Sequence, residues 1–348
     1  MIAGKPFGYD AMPMALATSA KIWWRGQVGR LRRDRPALLT FLFHGLFADA
    51  AQIAAGHAKP QQAITVDHFD RFVRHFVEAG YRFVAPADLD QLDPAGRYVM
   101  ATFDDGYANN RLAMAVLERY EAPAVFFVAS GHVRQGKAFW WDVLWRRRLA
   151  EGATIEQVDA ESARLKPLPF DRIEAYLREQ FGEDALRPAG AIDRPLTVDE
   201  LRDLAAHPLV HIGNHTVDHV VLTQYDWPRM RWQIERCQAD LEAITGVRPT
   251  IISYPNGNHA PAVLGAAERA GLRWGITVAK HKNRLPLADD PAARLTLGRF
   301  TLWGDQDIDA QCAMYRSDLT RYRRTPAGRM AAGSPAGPAA ADPQGAMP

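Results

Sequence analysis

Val99-Met-Ala-Thr-Phe-Asp-Asp-Gly-Tyr107 is the stretch whose reading decides the fold. Residues 99–103 make a short apolar strand, and Gly106, directly after the two acids, permits a sharp turn that lifts both carboxylates out of the sheet. Neighbouring side chains at a strand end point apart, so one acid can bind a metal while the other sits beside a metal-bound water. Far downstream come His215 and His219, four residues apart. One carboxylate and two imidazoles form a ligand set for a divalent cation that leaves coordination positions open, which suits chemistry rather than scaffolding. Asp-Gly alone is also an ordinary turn signal, and a histidine pair at this spacing arises easily among the 11 in the chain.

His207, His211, His215 and His219 repeat every four residues, as a ladder on one helix face would. Pro208 and Gly213 interrupt such a helix, and 209–212 reads as a buried strand. His211 then belongs to the strand, with His215 and His219 beyond its end on a turn or short helix. Strands are expected at 38–43, 82–85, 98–103, 124–128, 250–254 and 273–278. Helices are expected at 66–79, 109–120, from Pro228 to Gly246, and at 261–270. Repeated strand-helix units predict an α/β protein with a parallel sheet, closed or nearly so. Between Gly131 and Leu196 the alternation stops, and a helical insertion over about 132–196 is expected beside the barrel mouth. Its aromatics Trp140, Trp141 and Trp145 read first as packing for the insertion and second as stacking platforms for the apolar face of a ligand.

Lys and Arg number 42 against 40 Asp and Glu, a formal charge of +2 that gives no sign of a nucleic-acid partner. Two cysteines, Cys237 and Cys312, are too few for a disulfide framework or a thiolate metal site. No stretch approaches the roughly twenty apolar residues that span a bilayer, and Asp10 and Pro13 argue against reading 11–20 as a signal peptide. A soluble or peripheral cytoplasmic protein is expected. Lys21-Ile-Trp-Trp-Arg25, followed by Arg30, Arg32, Arg33 and Arg35, joins interfacial aromatics to cations, so residues 21–35 are expected to touch anionic lipid at the inner membrane. From Thr325 onward the chain is dominated by Ala, Gly and Pro and is expected to be a disordered tail.

Three motifs in order give the chain a family resemblance. Thr102-Phe-Asp-Asp-Gly106, Gly213-Asn-His-Thr-Val-Asp-His219 and Tyr254-Pro-Asn-Gly257 resemble the successive motifs of the polysaccharide deacetylases, carbohydrate esterase family four, over about 38–302. The resemblance implies a distorted (β/α)7-type barrel, here spanning 37–315 after an N-terminal extension at 1–36 and before the tail at 325–348. It implies that Asp105, His215 and His219 bind a divalent metal, zinc first and nickel, cobalt or manganese as alternatives. Asp104 is then the general base, and the backbone amide of Asn256 helps to hold an oxyanion. Ser253 stands where the family usually has an arginine that keeps the catalytic acid ionised, and Arg299 in Leu297-Gly-Arg-Phe-Thr-Leu302 resembles the residue that takes over that task. No Leu-x-His tripeptide follows the third motif to supply the usual proton donor, which leaves His281, His259 or Asp104 returning its own proton. His44, after the first strand, is a candidate to line the site.

The implied reaction is hydrolysis of N-acetyl groups on the amino sugars of a glycan or a lipid-linked precursor. Amides are poor electrophiles and water is a poor nucleophile, and a bound cation improves both by polarising the carbonyl and lowering the pKa of water to about 7. Two other readings use the same residues: a carbohydrate-binding relative that has lost the reaction, and a hydrolase of a non-peptide C–N bond in a small molecule.

Overall fold

In the computed structural model, residues 12–31, 34–318 and 320 are described. The expected tail at 325–348, the first residues of the N-terminal extension, and Arg32 and Arg33 of the cationic cluster lie outside these residues.

Helix α1 (Met12–Arg30) precedes the first strand, β1 (Ala37–Phe43), which is followed by α2 (Ala50–Ala54) and α3 (Val66–Glu78). Strands β2 (Arg82–Phe83) and β3 (Arg97–Phe103), α4 (Met114–Arg119) and β4 (Ala124–Val128) complete the first half. Next come α5 (Ser130–Gln135), the insertion's helices α6 (Trp140–Ala150), α7 (Ile155–Leu165) and α8 (Phe170–Phe181), and α9 (Val198–Ala205), which packs back on the barrel. The chain then returns through β5 (Val210–Asn214), α10 (Trp227–Thr245), β6 (Ile251–Ser253), α11 (Pro261–Arg269), β7 (Trp274–Ile276), α12 (Pro291–Arg294), β8 (Phe300–Thr301) and α13 (Ile308–Arg316). The expected helix over 109–120 is divided: 3-10 geometry holds Ala108–Ala113 before α4 begins. There the Asn110 side chain donates to the carbonyl of His44 instead of facing solvent as on a surface helix.

All ladders are parallel, in the order β7-β6-β5-β4-β3-β1-β8, with β2 pairing the first half of β3. Seven strands thus form the distorted (β/α)7-type barrel. β7 and β8 do not share a ladder. Leu297, just ahead of β8, donates to Gly275 O and accepts from Thr277 N, so two backbone hydrogen bonds close the ring.

Strand alternation sorts side chains between two cores. Leu39, Phe41 and Phe43 of β1, with Val99 and Phe103 of β3, face outward against Phe69, Phe72 and Phe76 of α3. Phe103 and Phe126 stack at 4.8 Å between ring centroids. Leu38, Tyr98, Met100, Val125, Phe127, Ile251 and Trp274 fill the lower barrel. Emptying one of these aromatic positions, as in Phe72→Ala, costs about 3–5 kcal/mol. The same inward register carries Thr40, Thr102, Ser253 and Arg299, all buried, so the upper barrel is polar while its base is apolar. That reversal prepares the carboxyl end for a site.

Candidate active site and metal centre

Asp104 and Asp105 leave β3 at its carboxyl end. The Asp104 amide still donates to Phe43 O at 2.8 Å, which keeps its side chain in the inward register. Asp105 then adopts φ +78°, a left-handed backbone costly for a side-chain-bearing residue, and Gly106 follows at φ +86°. A Cβ at Gly106 would come within 3.0 Å of Val128, so only glycine lets the turn pass β4 closely.

The second motif is held from behind. Asn214 Oδ1 accepts from Thr216 N, and Asn214 Nδ2 donates to Ile234 O and Gln238 Oε1. Gln233 Oε1 accepts from the amides of Val217 and Asp218, each at 3.0 Å. These buried glutamines of α10 stabilise a loop in which Thr216 and His219 take φ +64° and +52°. His215 and His219 thus lie on a turn beyond β5.

Asp105 Oδ1 sits 3.4 Å from His215 Nε2 and 3.2 Å from His219 Nε2. Two ligands at about 2.0–2.1 Å in tetrahedral array lie about 3.3 Å apart, so these separations suit a shared small cation. His215 Nδ1 lies 2.7 Å from Ser253 O; donating its proton there turns the Nε2 lone pair toward Asp105. Asp105 Oδ1 and Oδ2 and His215 Nε2 are buried without a hydrogen-bond partner. Three buried acceptor positions without a donor, converging at one point, suit a divalent cation. Burial would raise the Asp105 carboxyl, yet His219 and His215 hold it well below the usual range. Burial pulls both imidazoles down; at His215 the charges of Asp104 and Asp105 outweigh it, while at His219 burial prevails.

Asp104 serves differently. Arg299 Nη1 donates to its Oδ1 at 2.7 Å and Nη2 to its Oδ2 at 2.8 Å, and Ser253 Oγ donates to Oδ2 at 3.1 Å. Burial would raise this carboxyl, and Arg299 with His215 outweighs it to keep it below its ordinary value. Asp104 is therefore ionised and aligned, 3.8 Å from His215 Nε2.

Asp104, Asp105, His219, Asn256, Arg299 and His44 border one cavity of about 420 Å³, with His215 buried behind. Asn256, at φ +57°, forms the turn after β6 with its side chain exposed. His44 Nδ1 pairs with Gln62 Oε1 at 2.7 Å, so His44 does line the site. His281 does not border this cavity: its ring lies against Gly298, and two residues on, Asn283 pairs with Leu38 near the amino end of β1. His259 is likewise not among the lining residues.

Tyr107 and Asp142 contribute although nothing in the sequence singles them out. Tyr107 Oη donates to Asp142 Oδ2 at 2.6 Å and accepts from Trp141 Nε1 at 2.8 Å, which ties the first motif to the insertion. Trp141 in turn lies edge-on to His219 at 4.8 Å between ring centroids. Trp145 packs in the insertion's core, whereas Trp140 and Trp141 also wall the cavity. Hydroxyl residues at inward positions of apolar strands, Thr40, Thr102 and Ser253, were the available signal.

The chain resembles known proteins in sequence and in fold. A family model described as polysaccharide deacetylase matches residues 91–275. YxkH of Bacillus subtilis, assigned by name to the polysaccharide deacetylases, is 20% identical over 256 residues, covering 71% of this chain and 67% of its own. Among solved structures, IcaB from Ammonifex degensii superposes with a TM-score of 0.55 at 19% identity, covering 82% of this chain and 98% of IcaB. The Streptococcus pyogenes deacetylase PplD in complex with acetate gives 0.52 at 16% identity, covering 79% and 96%. At these identities the structural likeness speaks for the fold alone.

Proposed function

The chain belongs to the polysaccharide deacetylase family, and from that premise we propose that it removes N-acetyl groups from amino sugars of a glycan or glycan precursor, using a divalent cation held by Asp105, His215 and His219. The observation that carries this reading is the buried Asp105 carboxylate, free of any hydrogen-bond donor and set 3.2 and 3.4 Å from two imidazole nitrogens. Zinc suits one oxygen and two nitrogens, and nickel, cobalt or manganese can use the same ligands. When bound, such a cation supplies Lewis-acid chemistry, polarising the acetyl carbonyl and acidifying water.

The chain's own residues supply the rest. Asp104, kept ionised by Arg299, accepts the proton of the attacking water. The Asn256 amide, presented at the cavity wall by its left-handed turn, stabilises the developing oxyanion. The sugar amine then departs with a proton returned by Asp104; His281 stands away from the cavity wall. Elemental analysis and acetate release from N-acetylated oligosaccharides, for wild type and His215→Ala, test the reading. Metal and activity should vanish together. A metal-free protein that still releases acetate, or a metal-loaded one that releases none from any amide substrate, overturns it.

The reading extends to a membrane contact. Trp23, Trp24 and Leu31 are 54%, 63% and 89% exposed, with Lys21, Arg25 and Arg30 exposed around them. The opposite face is close-packed, since a Cβ at Gly26 or Gly29 would fall 2.6 Å from Ala310 or 2.5 Å from Ala313 of α13. Aromatics flanked by cations suit anionic lipid at the cytoplasmic face. Trp23→Ser with Trp24→Ser should abolish sedimentation with anionic vesicles, and undiminished binding removes the contact.

A further inference from the structure

The cavity wall carries charges that the deacetylation chemistry does not use, one of them brought by the insertion. The floor holds Asp104 and Arg299, which neutralise each other, and Asp105, which faces the metal position. The remaining side chains of fixed charge on the wall are Lys59, from the loop between α2 and α3, and Lys166, after α7. Both cations border the same cavity, and Asp104 and Asp105 are the carboxylates among its lining residues. Lys166 is exposed. Lys59 Nζ meets Asp159 at 2.6 Å, but Asp159 is half exposed and does not border the cavity. An exposed pair of this kind contributes only about 0–1 kcal/mol, so an anion in the mouth can share that lysine. Although Lys166 is exposed, its ammonium is partly desolvated, and that desolvation together with the charge of Lys59 lowers it from its ordinary value, so the two cations are near enough to repel. The loop carrying Lys59 is fixed, because its amide donates to the buried Asp142 at 2.8 Å. The lining also has apolar side chains, Trp140, Leu168, Phe170, Ile173, Val221 and Tyr225, beside the polar Gln61, Ser162 and Gln224.

We propose that Lys59 and Lys166 form an anion subsite that binds a phosphate ester on the amino sugar, making the substrate an N-acetylated glycosyl phosphate rather than a neutral stretch of polymer. The inference rests on the deacetylase reading. Two ammonium groups match the charge of a phosphate, and the apolar side chains fit a sugar face or the first carbons of a lipid joined to that phosphate. A free sugar phosphate and the headgroup of a lipid-linked sugar share this chemistry.

The experiment compares three N-acetylglucosamine derivatives that differ only at the anomeric oxygen: the methyl glycoside, the 1-phosphate, and a short prenyl phosphodiester. Acetate release is followed in the metal-loaded enzyme. The phosphorylated compounds should show a KM lower by about tenfold or more, a preference that weakens as salt is raised. Lys166→Ala should erase most of that preference and Lys166→Arg should restore it, which a purely structural lysine would not do. A prenyl diester favoured over the 1-phosphate identifies the lipid-linked source, and equal values identify the free sugar phosphate. Equal KM for the methyl glycoside and both phosphates, or a preference that survives Lys166→Ala combined with Lys59→Ala, overturns the subsite. Calorimetric titration of Asp104→Asn protein with the same compounds reads the subsite without turnover. If no compound is hydrolysed the deacetylase reading fails, while phosphate-dependent binding lost in Lys166→Ala still upholds the subsite.

Discussion

Arg299 and Asp104, 195 positions apart in the chain, join through two parallel hydrogen bonds of 2.7 and 2.8 Å. Both are buried, and Arg299 reaches Asp104 by running up the barrel interior from the start of β8. A planar fork on a carboxylate fixes both the charge and the direction of the acid.

Removing that fork should be costly twice over. Arg299→Ala leaves a buried carboxylate uncompensated, which destabilises by about 3–5 kcal/mol in urea unfolding. Arg299→Lys retains the charge without bidentate geometry, so kcat should fall at least about tenfold even in folded protein. Wild-type kcat in the lysine variant would show that alignment of Asp104 is irrelevant.

Asp104 and Asp105 should separate cleanly. Asp104→Asn should keep its metal and lose about 10²–10⁴ in kcat, the usual contribution of a general base, whereas Asp105→Asn should lose the metal as well. Elemental analysis beside acetate release checks both. Retained turnover in Asp104→Asn moves the base elsewhere.

For Asn256 the contribution is assigned to its backbone. Glycine accepts φ +57° without strain, so Asn256→Gly should cost no more than about threefold in kcat, and Asn256→Ala should cost about 1–3 kcal/mol of stability through strain. A large loss of kcat in the glycine variant assigns the effect to the side chain.

Asp142 should make stability depend on pH. Burial pushes its carboxyl from 3.8 up to about 7, despite hydrogen bonds from Tyr107 and Lys59. The folded state therefore keeps a proton that the unfolded chain loses at lower pH. Stability contributed by this group is present at acid pH and is lost as pH rises from about 4 to about 7, with a slope of at most about 1.4 kcal/mol per pH unit and none above. Urea unfolding of wild type against Asp142→Asn across that range measures it; parallel curves would show that Asp142 is ionised throughout.

Much of this protein was legible from residue order because it is local. Strand-helix alternation, the Asp226 cap and Gly246 stop of α10, and the turn forced by Gly106 depend on neighbours in the chain. Asp105, His215 and His219 could be named because a motif carries its own spacing. Their meeting, like the Arg299 and Ser253 grip on Asp104, was decided by barrel closure, since strand register alone determines which distant side chains point inward at one height. His281 shows the converse: its chain position suited a proton donor, and packing against Gly298 set it apart from the cavity. The insertion's place beside the mouth and its aromatics were readable, but the contact of Trp141 with His219 and the place of Lys166 on the cavity wall came only from the insertion's folding back, because a contact across such a distance leaves no period in the sequence to read.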